Sequence, residues 1–148
     1  MSRLRDRTVL LALAALLALL LPGAAGAQEL GPFTRELIVT WARGDAGDIA
    51  ALIAGSGVSI NVEGQANGPL ARRQAGATLR RMFADVETVS ITLASKKVVP
   101  GSKPPRAWLE LVWTRRARGT TIPDQRTVFV ALVGEGDEWR ITDIRLLR

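Results

Sequence analysis

Apolar and polar residues alternate along the second half of the chain, with the period of two that is typical of β-strands. The last two runs, 127–133 and 138–146, flank the turn residues Gly-Glu-Gly-Asp and predict a β-hairpin. Two earlier runs, 89–99 and 106–118, are separated by a loop rich in proline and glycine. Strands joined by short loops pair antiparallel, so this part of the chain predicts four consecutive antiparallel strands.

The pattern upstream of these strands has the longer period of helices. Apolar residues recur on one face over 33–43 and over 70–84, and a short helix is predicted to begin at Asp45 between them. One strand, 58–63, precedes the third helix, and the glycines and proline of 64–69 predict a loop. The predicted fold class is α+β, with three N-terminal helices packed on one face of an antiparallel sheet.

Two aspartates near the start of the second helix allow two interpretations. Asp45 is placed to cap the helix, and Asp48, three residues later, lies near its positive end. The same pair offers oxygen ligands for a cation, but no third carboxylate lies nearby in the sequence. Capping is therefore favoured over metal binding.

Residues 1–27 have the composition of a secretory signal peptide. Three arginines precede an apolar run at 9–21, and the small residues Ala25 and Ala27 follow a Pro-Gly break. A membrane anchor is the alternative, but this run is short for a span that needs about 20 apolar residues. We therefore predict cleavage after Ala27, export to the periplasm or beyond the cell, and one mature domain, 28–148, with no stable membrane span.

The residue types that are missing exclude several kinds of chemistry. The chain has no Cys, no His and no Tyr, which excludes disulfides, thiol catalysis and the usual zinc sites. A metal would have to be held by oxygen ligands alone, and we predict neither a metal site nor a cofactor.

The charge balance is basic. The chain has a formal net charge of +6, and removing the signal peptide takes away three arginines and one aspartate. Anionic lipid or polysaccharide would suit a basic exported surface, for which the candidates are Arg80, Arg81, Arg115, Arg116 and Arg118. A solvated surface is the simpler interpretation and is favoured. Nucleic-acid binding is not expected, because no aromatic residue is interleaved on the basic face of the third helix.

Tryptophans and two isolated carboxylates are the candidates for a ligand pocket. Glu110 is the only acid in its predicted strand, and Asp143 lies where the apolar spacing of the last strand shifts from two to three. A buried Glu110 would serve as an acid or base, but a place on a solvated face is favoured, and an ion pair with an arginine is the alternative for Asp143. The candidate pocket lining consists of Trp41, Glu110, Trp113, Trp139 and Asp143. Core packing is the first expectation for the tryptophans, and Trp139 in particular is predicted to anchor the core.

Both faces of the central strands are apolar, which predicts self-association. The runs 127–133 and 106–118 carry apolar residues on both sides, whereas a strand with one solvated face has polar residues there. Since three helices cover only one face of the sheet, the other face would expose an apolar patch that soluble monomers rarely tolerate. The candidate face of a homodimer consists of Trp108, Val112, Phe129 and Val133. A two-fold dimer would bury this patch. The alternative is that the twist of the strands and the long basic side chains cover the patch within one molecule.

Three segments carry a resemblance to a known superfamily. They are the Gly-Asp step within 42–45 after the first helix, the arginine-rich helix 72–83 that ends in a phenylalanine, and the strand 138–145, which reads W-x-I-x-x-I. In these features residues 28–148 resemble the nuclear transport factor 2-like superfamily, and most of all its small uncharacterised exported bacterial members. The resemblance implies a cone-shaped α+β fold, in which helices pack on a curved antiparallel sheet.

The resemblance carries no catalytic site to this chain. Ketosteroid isomerases and scytalone dehydratase, which belong to the superfamily, rely on Tyr or His donors beside carboxylates, and limonene epoxide hydrolase uses an Asp-Arg-Asp set. The chain lacks the first two residue types and no matching trio stands out, so no catalytic residue is assigned. The favoured function is an exported, non-enzymatic binding or accessory domain. The alternatives are a carboxylate-based lyase, isomerase or hydrolase acting on a small apolar molecule, and a basic envelope-surface binder.

Overall fold

The computed structural model describes residues 29–148, so the predicted signal peptide and its cleavage site at Ala27 lie outside the described residues. Within this part of the chain the elements are α1 Leu30–Ala42, α2 Ala46–Ala51, β1 Val58–Val62, β2 Gln65–Leu70, α3 Arg72–Ala84, β3 Val86–Val99, β4 Arg106–Ala117, β5 Pro123–Glu135 and β6 Glu138–Leu147. The predicted α+β class is confirmed. No helix among the described residues is long and apolar enough to cross a membrane.

The strands form one sheet in the order β2-β1-β6-β5-β4-β3. The four consecutive strands β3 to β6 pair antiparallel, as their alternation and short loops predicted. The exception lies between β1 and β6, which run parallel with Ser59 opposite Asp143. The prediction of a purely antiparallel sheet is therefore wrong at this pair, because β1 reaches β6 across the sheet through a long connection rather than a tight turn.

Segment 64–69, predicted to be a loop, contains most of strand β2. β2 is an edge strand paired only with β1, and an edge strand tolerates Pro69 because one side of its backbone needs no partner. Gly68 has a φ angle of 146°, and a Cβ atom there would lie 2.8 Å from the Cα atom of Ser59. This glycine therefore permits the close approach of two backbones, and it does not end the regular structure.

Strand β2 also displaces the start of the third helix. Leu70 ends β2, so α3 begins at Arg72. The Oε1 atom of Gln74 accepts a hydrogen bond of 3.1 Å from the backbone N–H of Ala71, which satisfies a donor at the helix start. β3 and β5 also begin earlier in the chain than the alternation predicted.

The joint between α1 and α2 agrees with the sequence. Gly44 follows α1 with a φ angle of 65°, the left-handed conformation in which helices commonly end. The Oδ1 atom of Asp45 accepts a hydrogen bond of 3.1 Å from the backbone N–H of Asp48. The capping interpretation of Asp45 is confirmed, and it fixes the direction in which α2 leaves α1.

The helices cover one face of the sheet, here called the inner face, and the core lies between them. Buried inner-face residues alternate with half-buried outer-face residues along β4 and β5. The fully buried inner-face side chains include Leu109, Leu111, Trp113, Val128, Val130, Ile141, Ile144 and Leu146. β6 has an irregularity between Ile141 and Asp143, opposite the step from Ala131 to Leu132, as the shift in apolar spacing predicted.

Candidate functional site

Three aromatic rings fill the interior between the helices and the inner face. Trp41 of α1, Phe83 of α3 and Trp113 of β4 meet edge to face, with ring centroids 5.4, 5.5 and 5.7 Å apart. Trp41 and Trp113 are fully buried, and the Nε1 atom of Trp113 donates a hydrogen bond of 2.9 Å to the Thr88 hydroxyl. Two members of the predicted pocket lining, Trp41 and Trp113, are thus packed in the core.

The two carboxylates of the predicted pocket lining lie on the outer face of the sheet. Glu110 is half-buried opposite Phe129 and accepts a hydrogen bond of 3.3 Å from the Ser95 hydroxyl. Asp143 forms an ion pair of 3.0 Å with Arg145, and hydrogen bonding to this carboxylate raises the pKa of the arginine. The structure therefore does not bring the five predicted pocket residues together.

The outer face also carries the residues predicted for a dimer interface. Trp108, Val112, Phe129 and Val133 are half-buried on β4 and β5. The rings of Trp108 and Phe129 stack, with centroids 5.8 Å apart and planes inclined by 29°. Each ring covers part of the other, and both remain partly exposed at the centre of the face.

A network of ion pairs surrounds Glu63, in the turn between β1 and β2. Nitrogen atoms of Arg115, Arg126 and Arg148 lie 3.5, 3.2 and 3.6 Å from its carboxylate oxygens. The hydrogen bond from Arg126 lowers the pKa of Glu63; desolvation opposes this shift, and the charges of the three arginines reinforce it. Arg115 and Arg126 also pair with Asp124, so the network joins β4 and β5 to the turn between β1 and β2.

The arginines proposed as a basic surface fall into two groups. Arg116 and Arg118 pair with Glu87 at 2.9 and 3.5 Å, and Arg115 belongs to the Glu63 network. Arg80 and Arg81 are exposed on α3 and form no ion pair with another described residue. Of these five arginines, Arg80 and Arg81 are therefore the two whose charge is not engaged by a carboxylate within residues 29–148.

An open pocket of about 390 Å³ lies where the start of α1, the end of α2 and the β5–β6 hairpin meet. The residues that give this hairpin-end pocket its apolar surface are Pro32, Phe33, Leu52 and Trp139. Trp139 is 5% exposed, so most of its side chain is buried in the core although it also lines the pocket. The volume lies in the range of roughly 300–1,000 Å³ that small-molecule sites occupy.

Charged groups surround the apolar surface of the hairpin-end pocket. They are Glu29, Glu36, Asp137, Glu138 and Arg140. Arg140 forms an ion pair with Glu138 and donates a hydrogen bond of 2.9 Å to the carbonyl oxygen of Ala51. The other three carboxylates form no ion pair within the described part of the chain. The pocket therefore carries local negative charge on a protein whose formal net charge is +6.

Backbone hydrogen bonds hold the wall of the pocket in place. The N–H of Ile141 donates to the carbonyl oxygen of Leu52, and the N–H of Ala54 donates to that of Ile141, both at 2.9 Å. The Glu135 carboxylate accepts a further hydrogen bond of 3.3 Å from the N–H of Gly55. These contacts fasten the end of α2 to the hairpin, so the pocket is formed before any ligand arrives.

Sequence reasoning singled out Trp139 but missed the rest of this pocket. Phe33 was assigned to the apolar stripe of α1, and Asp137 to a turn, because each fits its local pattern. The pocket combines residues from 29–36, 51–52 and 137–140, and no local spacing links these segments. The one feature of the sequence that could have indicated the pocket is its acidic residues, because Glu29 and Glu36 lie in the first of these segments and Asp137 lies in the last. Among residues 29–148, no group of three or more acidic side chains is placed to hold a metal ion.

Solved structures show the same fold. A cystatin-like domain from Nostoc punctiforme has a TM-score of 0.64 at 16% identity, covering 84% of this chain and 79% of its own. A DUF4783 family protein from Bacteroides uniformis has a TM-score of 0.62 at 11% identity, with coverages of 77% and 94%. A protein of ketosteroid isomerase-like fold from Catenulispora acidiphila, solved in complex with trimethylamine, has a TM-score of 0.60 at 18% identity, with coverages of 78% and 83%.

The predicted nuclear transport factor 2-like, cystatin-like fold is thereby confirmed, and it is shared with bacterial proteins of unknown function. No protein-family model and no curated protein matches the sequence. At these identities the likeness concerns the fold, and the function has to be argued from the site itself.

Proposed function

We propose that the protein is an exported, non-enzymatic binding domain that holds a small organic cation in the hairpin-end pocket. The observation that carries the proposal is the combination, in one open pocket, of Phe33 and Trp139 with three carboxylates that form no ion pair within residues 29–148, Glu29, Glu36 and Asp137. The apolar substituents of an organic cation can contact the exposed parts of the Phe33 and Trp139 side chains, and the nearby carboxylates attract its charge.

The packing of the interior supports binding rather than catalysis. Enzymes of this fold would need room between the helices and the sheet, and Trp41, Phe83 and Trp113 occupy that space. Glu110 and Asp143, the two carboxylates considered for acid–base chemistry, are engaged by neighbouring side chains on the opposite face. The proposed ligand therefore binds outside this filled interior, in the hairpin-end pocket.

Size and charge define the class of ligand. A volume of about 390 Å³ suits a small molecule. Alkylammonium ions combine a positive charge with methyl groups that can contact Phe33 and Trp139. The likeness in fold to a protein solved with trimethylamine supports this class without identifying the ligand.

Isothermal titration calorimetry with choline tests the proposal, with 3,3-dimethyl-1-butanol as its uncharged analogue of the same shape. We expect saturable binding of choline, with little binding of the alcohol, because the alcohol lacks the charge that the carboxylates attract. The double variant Glu36→Gln with Asp137→Asn should weaken choline binding several-fold. The matched control, Asp48→Asn with Asp85→Asn, removes two exposed carboxylates away from the pocket and should leave the affinity unchanged.

Two outcomes would contradict the proposed ligand class. Equal binding of choline and its neutral analogue would show that the pocket selects shape alone. An equal loss of affinity in the control variant would show that the cation responds to the overall charge of the protein and not to this pocket.

Export is part of the proposal and has its own test. The apolar run at 9–21 and the small residues Ala25 and Ala27 support cleavage by a signal peptidase. Mass spectrometry of protein recovered from the cell envelope or medium should give a chain that begins at Gln28, and Ala27→Leu should block this processing. An intact N-terminus at Met1 in the wild-type protein would refute cleavage.

A further inference from the structure

Helix α3 carries four arginines and no acidic residue. Arg73, Arg80 and Arg81 are exposed and form no ion pair with a described residue, whereas Arg72 donates a hydrogen bond of 2.9 Å to the carbonyl oxygen of Ile53. Elsewhere on the protein, Arg115 and Arg116 have carboxylate partners. No carboxylate within residues 29–148 pairs with Arg73, Arg80 or Arg81, in contrast to Arg115 and Arg116.

The exposed residues of α3 form a flat basic stripe. Arg73, Ala77, Arg80 and Ala84 are spaced by four, three and four residues, which places them on one face of the helix, and all four are exposed. Arg73 and Arg80 lie two turns apart, about 10 Å along the helix axis. The alanines between and after them have short side chains, so a broad surface can approach both guanidinium groups at once.

An exposed apolar residue lies in the loop that is hydrogen-bonded to the C-terminal end of α3. The loop 118–122 connects β4 to β5 and carries Ile122, which is 81% exposed. Arg118, at the base of the loop, donates hydrogen bonds of 2.7 Å from Nε to the carbonyl oxygen of Ala84 and of 3.0 Å from its backbone N–H to that of Asp85. These bonds join the loop to the end of α3.

We propose that the stripe of α3 and the exposed Ile122 together dock the protein on an anionic lipid bilayer. The guanidinium groups of Arg73 and Arg80 pair with lipid phosphates, and the isoleucine side chain enters the apolar region beneath the headgroups. Charge complementarity alone would also fit a soluble polyanion, but a soluble polyanion offers no apolar interior for Ile122. The exposed isoleucine therefore favours the bilayer.

Co-sedimentation with vesicles tests this docking. The probes are phosphatidylcholine vesicles with and without phosphatidylglycerol, and all variants keep the same N-terminus, so any contribution from residues 1–27 cancels. The double variant Arg73→Gln with Arg80→Gln should bind anionic vesicles more weakly, by about five-fold for each arginine removed. The matched control, Arg35→Gln with Arg106→Gln, removes two other exposed arginines and should retain most of the binding.

A second variant separates the bilayer from a soluble polyanion. Ile122→Ser should weaken binding to anionic vesicles and leave retention on immobilised heparin unchanged, because only the bilayer accepts the apolar side chain. Unchanged vesicle binding in Ile122→Ser would overturn the bilayer as the partner. Equal losses in the two arginine variants would overturn the assignment to α3, and binding that does not require phosphatidylglycerol would overturn the electrostatic basis.

Discussion

Trp139 serves the core and the hairpin-end pocket with the same ring, and its removal should affect stability first. Truncation of a buried aromatic side chain costs about 3–5 kcal/mol, a large share of the ~5–15 kcal/mol that stabilises a domain. Trp139→Ala should therefore lower the free energy of unfolding by about that amount in chemical denaturation. Trp108→Ala, which truncates a half-buried tryptophan on the outer face, should cost less. An equal loss of unfolding free energy in the two variants would show that burial of Trp139 does not determine its contribution to stability.

The charge of Glu63 makes the stability of the protein depend on pH. Its pKa is lowered in the folded state, chiefly by the hydrogen bond from Arg126. A lowered carboxylate pKa stabilises the fold fully above the unfolded-state value of about 4.3, and the contribution declines as the pH falls toward the folded-state value. Glu63→Gln should therefore destabilise the protein at neutral pH and have less effect in acid.

Denaturation of both proteins across this pH range measures the effect of Glu63. Asp85→Asn, which neutralises an exposed carboxylate outside the network, provides the comparison and should show little dependence on pH. A difference between wild type and Glu63→Gln that stays constant down to low pH would contradict the linkage.

At the scale of elements, the sequence correctly predicted the features that depend on neighbouring residues. The alternation of β3 to β6, the cap at Asp45 and the irregularity before Asp143 all follow from neighbouring residues, and each is present in the structure. Strand β2 was missed because Gly68 and Pro69 are breakers in isolation. Their tolerance depends on a position at the sheet edge beside β1, which local sequence does not specify.

The same distinction applies to the candidate site, where features within one strand could be predicted and contacts between distant segments could not. The burial of Trp139 could be predicted from its phase with Ile141 in one strand. The hairpin-end pocket could not, because Phe33 and Glu36 become neighbours of Trp139 only when α1 crosses the hairpin. The alternation along β4 already places Glu110 and Trp113 on opposite faces, but only the fold shows that the helices cover the face that carries Trp113.

For the whole molecule, the outer face of the sheet leads us to expect a two-fold dimer. Across this face Arg145, Phe129 and Glu110 stand side by side on β6, β5 and β4. A two-fold axis parallel to the strands and passing near Phe129 would set Arg145 of each copy against Glu110 of the other. The apolar centre and the opposite charges on either side of it are therefore self-complementary.

Light scattering at micromolar concentration should give the mass of a dimer, and Phe129→Lys should give that of a monomer, because it places a charge at the centre of the contact. Val39→Lys introduces the same charge on an exposed position of α1 and should leave the dimer intact. A monomeric mass for the wild-type protein would contradict the expected dimer. A monomeric mass for Val39→Lys would show that net charge, and not the outer face, controls assembly.

The position of β6 limits the order in which the strands can join the sheet. Among the described strands it comes latest in the sequence but lies inside the sheet, between β1 and β5. A polypeptide that leaves a ribosome, or threads through a narrow channel, delivers its N-terminal part first. β1 and β2 then have no route into the sheet until residues Glu138–Leu147 emerge. The six-stranded sheet consequently cannot be completed until β6 is available to pair with β1 and β5.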